Sequence, residues 1–287
     1  MDKDILSVIS RENSGFSKGQ RLISKYITEN YDKAAFMTAG KLGKAVGVSE
    51  STVVRFAAEL GYGGYPGMRK ALQEMIRNRL TSVQRIEAAK DLIDDRNVLK
   101  SVLSDDIEKL QATLEEIDQD SFNRAVEMVI NARRVYISAM RTSKYLAEFF
   151  GFYLNMMRDN VHVACESGAA EVYEELLRIE AGDVFVGFTF PRYSSRAIKA
   201  MRYAKAHGAQ AIGITDSEAS PFFGVADICL FAKSDMVSFL DSLVAPMSLV
   251  NALVAAIGVR SRDALSDTFK RLENVWAEYE VYEKSEG

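Results

Sequence analysis

Between Arg133 and Ala232 five short apolar runs alternate with longer helical stretches, and that alternation leaves few folds open. The runs are RRVYISAM, NVHVAC, DVFVGFT, AQAIGIT and ADICLFA. RTSKYLAEFFGFYLNMM, ESGAAEVYEELLRI and PRYSSRAIKAMRYAKAHG follow the first three runs with helical patterning. Strands this continuously apolar are buried on both faces, and helical crossovers return the chain to the same end of the sheet. The pattern predicts a five-stranded parallel sheet inside a three-layer α/β sandwich. Two further helices are expected at about 239–259 and 264–282.

Upstream of Ser121 the runs disappear and helix signals take over. Ser17 is placed to cap a helix reaching about Asn30, with Leu22, Ile23, Tyr26 and Ile27 as its apolar stripe. Thr38 opens a short helix carrying Leu42, Ala45 and Val46, which Gly47 ends in a left-handed turn. Ser49 caps the next helix, whose inward face is Val53, Phe56, Ala57 and Leu60. Gly61, Gly63 and Gly64 make a tight exit, and Met68, Leu72, Met75 and Ile76 line a following helix. The glycines match no phosphate-loop pattern, because no GK[ST] follows them. This is the order of a helix-turn-helix in an all-α N-terminal domain. A recognition helix reads the major groove with its N-terminal residues. Here those are Ser49, Glu50, Ser51, Thr52 and Arg55, with Arg55 suited either to guanine or to a phosphate. Lys44, Tyr65, Arg69 and Lys70 are candidates for backbone contacts.

Charge follows the same division. Residues 1–80 hold 13 Lys/Arg against 8 Asp/Glu, within a chain of 287 residues whose formal net charge is -4. The basic end can approach a phosphate backbone, whereas the acidic remainder is repelled by one. Residues 81–120 read as a helical connector interrupted near DLIDDRN, with Val98, Val102, Leu103, Ile107, Leu110 and Leu114 in a broken helical pattern. The expected organisation is thus 1–80, 81–120 and 121–287. Cys165 and Cys229 lie in apolar runs, and neither they nor any Cys/His cluster suggests a metal or other cofactor. The N-terminus lacks a signal-peptide pattern, and the most apolar stretch, Phe239–Val259, is broken by Asp241, Pro246 and Asn251. A cytoplasmic protein without a membrane segment is expected.

Ligands of parallel sheets bind beyond the carboxyl ends of the strands. Two such ends carry anion-binding groups at helix starts. One has Arg141, Thr142 and Ser143; the other has Thr189, Arg192, Tyr193, Ser194 and Ser195. Thr215, Asp216 and Ser217 end the fourth strand as a further wall. Hydroxyls with arginines suit a phosphorylated metabolite, although serine and threonine also cap helices for purely structural reasons. Sugar isomerisation would need a positioned base and acid. His162 falls in a strand, His207 at a helix end, and Glu166 and Glu171 have no second group paired with them, so no catalytic residue is assigned.

The stretch SESTVVRFAAELGYGGYPGMR resembles the signature of the RpiR family of bacterial regulators, at Ser49, Thr52, Val53, Arg55, Phe56, Leu60, Gly61, Gly64 and Tyr65. AMRTS at 139–143 and GFTFPRYSSRAIKAMRYAKAHGAQAIGITDSEASP at 187–221 are similar to the sugar isomerase (SIS) domain that this family carries downstream. The resemblance covers nearly the whole chain. It implies a DNA-binding regulator, commonly a repressor, acting as a homodimer or homotetramer on operator DNA. It also implies a phosphosugar effector held by Arg141, Thr142, Ser143, Thr189, Arg192, Tyr193, Ser194 and Ser195. The alternatives it leaves are a SIS-type isomerase and a purely oligomerising module. The chain departs from the usual SIS pattern at Ala139, where glycine is common, and at TFPRYS, where a serine-rich turn is common.

Overall fold

The computed structural model of the chain describes residues 5–76, 81–92, 97–165, 171–236 and 238–282. Two units emerge: Met1–Asp105 with Met236–Asp241, and Asp106–Asp235 with Ser242–Gly287. The division falls inside the expected connector rather than at either of its ends.

The first unit is helical: α1 (Ile5–Glu12), α2 (Lys18–Glu29), α3 (Tyr31–Ala34), α4 (Ala39–Val46), α5 (Glu50–Glu59), α6 (Tyr65–Ile76) and α7 (Ser82–Leu92). Ser17 and Gln20 form a reciprocal capping box at the start of α2, and Thr38 accepts from the Lys41 amide at the start of α4. Ile23, Ile27, Leu42, Val53, Phe56, Ala57, Met68, Leu72 and Ile76 make one core. Two expected stripe residues do not join it, since Leu22 and Ala45 are exposed. Gln20 and Ser24 are the buried members of α2 beside Ile23 and Ile27. Gly47 takes φ 74°, as the left-handed turn requires. Gly43 serves a different end: a β-carbon there would stand 2.8 Å from the Val48 carbonyl oxygen, so α4 meets the turn before α5 at backbone distance.

The next helix, α8 (Val98–Glu116), holds the boundary between the units. The second unit follows as α9 (Gln119–Asn131), β1 (Val135–Ala139), α10 (Lys144–Met157), β2 (Val161–Ala164), α11 (Glu171–Glu175), β3 (Val184–Phe188), α12 (Ser195–Ala206), β4 (Gln210–Thr215), β5 (Ile228–Phe231), α13 (Val244–Arg260) and α14 (Arg262–Glu278). All five expected strands form, all pairs are parallel, and their order is β2-β1-β3-β4-β5. One core packs α9, α10 and α13 on one face of the sheet; a second packs residues of α11 and α12 on the other. Arg133 donates to both carboxylate oxygens of the buried Asp183 at 2.9 and 3.0 Å, tying the starts of β1 and β3 together. Arg158 donates to the carbonyls of Val129 and Ala132, which satisfies the open end of α9. The helix expected from Phe239 starts only at Val244, because Ser242 turns its hydroxyl to Asp106 and Pro246 suits a first helical turn. No single helix among the described residues is long and apolar enough to cross a membrane.

Candidate functional site

Helix α5 is positioned by its buried face. Val53, Phe56 and Ala57 are fully buried, and Phe56 meets Phe16 edge-on at 5.2 Å. The opposite face presents Ser51, Val54, Arg55 and Ala58 to solvent. Ser49 holds the N-terminus: its hydroxyl accepts from the Thr52 amide at 3.3 Å and bonds the Ser51 and Thr52 hydroxyls at 2.9 and 2.8 Å. Arg55 donates from Nε to the Ser51 carbonyl at 3.3 Å, so its guanidinium lies back along the first turn. The Glu50 carboxylate rests over Gly40, where an added β-carbon would be 3.2 Å away. Glu59 accepts from the Gln20 side-chain amide, which fixes its carboxylate against α2.

Of the flanking candidates, Lys44 is exposed in the last turn of α4, Lys70 is exposed, and Arg69 is half-buried. Tyr65 corrects the expectation. It is only 4% exposed and donates its hydroxyl to the Met37 carbonyl at 2.9 Å. Burial pushes its phenol up to about 12, with Arg69 opposing. A phenol committed to the core cannot meet a DNA backbone, so Tyr65 is a packing residue. Val54 stands on the same outward face, exposed, and was not named from the sequence.

The second site lies at the carboxyl edge of the sheet. The chain leaves β1 for β2 on one side and returns to β3 on the other, so the strand order switches direction between β1 and β3. Ala139 and Phe188 are register partners across that switch. A cleft of about 660 Å³ opens at the carboxyl ends of β1 and its other neighbour β2, lined by Arg141, Thr142, Lys144, Tyr145 and Cys165. Arg141 adopts φ 59°, a left-handed backbone that a residue with a β-carbon rarely takes. Outliers of this kind cluster at ligand sites. Ser143 precedes α10 and makes no side-chain cap; the chain enters the helix through a 3-10 turn at Arg141–Ser143, and the Lys144 amide donates to the Arg141 and Thr142 carbonyls. Lys144 stands 5.2 Å over the Tyr145 ring. Two cations therefore line one cleft, an arrangement that attracts a phosphate.

The structure brings Arg141 and Thr142 to that cleft, with Ser143 buried behind them. The residues of the other turn, Thr189, Arg192, Tyr193, Ser194 and Ser195, are not among its lining. Thr189 is buried and accepts from the Ser194 amide at 3.2 Å. Ser194 caps α12 by accepting from the Ala197 amide. Tyr193 donates to Asp216 at 2.9 Å. Lys144, Tyr145 and Cys165 were the lining residues missed, although Lys144 directly follows the turn already singled out. Among the other candidates, His162 stacks on Tyr136 at 4.8 Å and the His207 ring bonds the Tyr203 carbonyl, so neither faces the cleft chemistry. Glu166 lies outside the described residues. Burial pushes the Cys229 thiol up to about 12, which makes it inert.

Comparison with known proteins follows the same two-part division. Residues 3–79 match the family description "Helix-turn-helix domain, rpiR family", and residues 128–256 match "SIS domain". A HTH-type transcriptional regulator of Caldanaerobacter subterraneus is 22% identical over 94% of this chain and 95% of its own. The HTH-type transcriptional regulator HexR of Pseudomonas aeruginosa is 23% identical over 90% of both. Among solved structures, the sugar isomerase domain of an RpiR transcription factor from Sphaerobacter thermophilus is 28% identical, with a TM-score of 0.58, over 61% of this chain and 97% of its own. The Vibrio vulnificus NanR protein complexed with ManNAc-6P is 21% identical, with a TM-score of 0.53, over 96% of this chain and 98% of its own.

Proposed function

Because the chain belongs to the RpiR family of transcriptional regulators, which join a helix-turn-helix domain to a SIS domain, we propose that it represses a carbohydrate-metabolism operon under the control of a phosphorylated sugar. Its relatives over the whole chain are regulators rather than enzymes. The finer reading assigns each site a role. Ser51, Val54 and Arg55 enter the major groove, while Glu50 orients them and Lys44 and Arg69 meet the backbone. Arg141 and Lys144 hold the phosphate, and Thr142 meets a sugar hydroxyl. The second turn acts on the ligand indirectly, by shaping the wall beyond β3.

The observation that carries this reading is the pair of cations, Arg141 and Lys144, lining one cleft at the carboxyl ends of the paired strands β1 and β2. The similar NanR protein is complexed with ManNAc-6P, which supports a phosphosugar as the ligand class here. Ligand binding controls the regulator only if it favours one arrangement of the DNA-bound dimer or tetramer over another.

The test uses the full chain in thermal unfolding with ManNAc-6P, other hexose and pentose phosphates, and the same sugars without phosphate. A phosphosugar present at 100 times its Kd stabilises the protein by about 2.7 kcal/mol. The same compound then shifts fluorescence anisotropy of the chain on DNA taken from beside its own gene. Stabilisation by none of the phosphates, or equally by the unphosphorylated sugars, would falsify the ligand assignment.

A further inference from the structure

Helix α12 presents a cationic face in the acidic remainder of the chain. Its 12 residues, Ser195–Ala206, include Arg196, Lys199, Arg202 and Lys205 and no carboxylate. The helices around it in sequence are different: α9 sets Asp120 and Glu127 beside Arg124, α11 carries Glu171, Glu174 and Glu175, and α14 mixes both signs. The buried side of α12 is Ala197, Ala200, Met201 and Ala204, packed on the sheet. Arg196, Lys199 and Arg202 recur every third residue on the outward side, and all three are exposed. Lys205 is spent on Asp227 at 2.6 and 2.7 Å, whereas none of those three joins an ion pair among the described residues. This pattern does nothing for the helix itself. Like charges on neighbouring turns repel, and Arg196 stands in the first turn, where the helix dipole disfavours a cation. A face that costs its own helix stability is explained by an anion from outside.

We propose that this face grips the phosphate backbone of the DNA that the helix-turn-helix reads, which gives the second unit a sequence-independent contact of its own. The inference rests on the regulator reading and extends it to a part of the chain that family membership leaves to the sugar. Charge complementarity selects the occupant. Three cations rise along α12 in steps of about 4.5 Å, and a DNA strand offers one phosphate per roughly 3.4 Å of helix axis. Guanidinium forks on Arg196 and Arg202 suit phosphate oxygens, and the Lys199 ammonium adds a point charge between them. DNA held by the same chain also reaches this face as a tethered ligand, so a weak contact suffices.

Salt dependence tests this in the full chain. Arg196→Gln, Lys199→Gln and Arg202→Gln, singly and combined, remove charge while keeping good helix formers. Each is titrated by fluorescence anisotropy against DNA from beside the chain's own gene and against a scrambled duplex of equal length, between about 50 and 200 mM salt. Each phosphate contact contributes about 0.9 to the slope of log K against log salt, so a single variant should flatten it by about 0.9 and the triple variant by roughly 2.7. Affinity should fall alike on both duplexes, because backbone contacts carry no sequence information. Arg262→Gln, Lys270→Gln and Arg271→Gln together make the same change in net charge on exposed positions of α14 and should leave the slope as it is. A slope unchanged by the α12 substitutions would overturn the proposal and give the face to an acidic protein instead. Equal flattening by the α14 substitutions would overturn it too, as an effect of net charge alone. A parent chain that binds neither duplex would overturn the regulator reading as well, which separates the two failures. Melting of each variant checks its fold.

Discussion

The two turns that follow β1 and β3 look alike in sequence and do different things. Each leaves the carboxyl end of a central strand, each carries arginine and hydroxyl residues, and each leads into a helix of at least 12 residues. After β3 the hydroxyls of Thr189, Ser194 and Tyr193 are spent internally, on the Ser194 amide, the Ala197 amide and the Asp216 carboxylate. After β1 they are not: Ser143 caps nothing, Thr142 lines a cleft, and Arg141 holds a left-handed backbone to reach it. A polar turn is a binding turn only to the extent that its own backbone has not already claimed its polar atoms.

The sharpest way to break this comparison is to remove a cation from the first turn. Arg141→Ala should weaken phosphosugar binding by about 10- to 100-fold, the loss of a charge-assisted hydrogen bond worth roughly 1.5–3 kcal/mol. Because Arg141 is exposed, melting without ligand should move little, or rise slightly if the left-handed backbone relaxes. Isothermal titration of the variant decides it; unchanged affinity would place the phosphate elsewhere.

The corresponding change in the second turn should invert that outcome. Thr189→Val keeps the shape but leaves the Ser194 amide without its acceptor at a position only 2% exposed. The expected cost is about 1–3 kcal/mol of folding stability, read as a lower denaturant midpoint at constant m-value. Thr142→Val, at an exposed site, should stay within about 0.5 kcal/mol of the parent. Equal losses from the two threonines would dissolve the distinction between the turns.

The fold was legible because its signals are local or periodic. Five apolar runs became five parallel strands, and Ser17, Thr38 and Ser49 cap the helices their positions announce. What escaped depends on contacts distant in sequence. The stripe at Leu22 and Ala45 was misjudged because helix periodicity defines a face without saying how far the core wraps around it. Tyr65 carries a polar tip in a basic stretch, and only the Met37 carbonyl, 28 residues away, reveals it as a core residue. Helix α9 did have a signal, since Asp118 accepts from the Asp120 and Ser121 amides as an N-cap. In the candidate site, Arg141, Thr142 and Ser143 could be named from a strand end alone. Cys165 could not, because its place beside them depends on β2 pairing with β1.

The smallest expected effect tests the comparison at the finest scale, between adjacent serines. Ser194 is half-buried and caps α12, but its hydroxyl stands 3.5 Å from the Ala197 amide, at the long limit of a hydrogen bond. Ser195 is the first residue of that helix and is exposed. Ser194→Ala should therefore cost about 0.5–1 kcal/mol, the low end of the range for losing a cap. Ser195→Ala should be neutral or slightly stabilising, because alanine is the better helix former. Chemical denaturation of the two variants side by side separates them. If Ser195→Ala instead weakens phosphosugar binding while leaving stability alone, the second turn contributes a direct ligand contact, and the division of labour between the turns becomes one of degree.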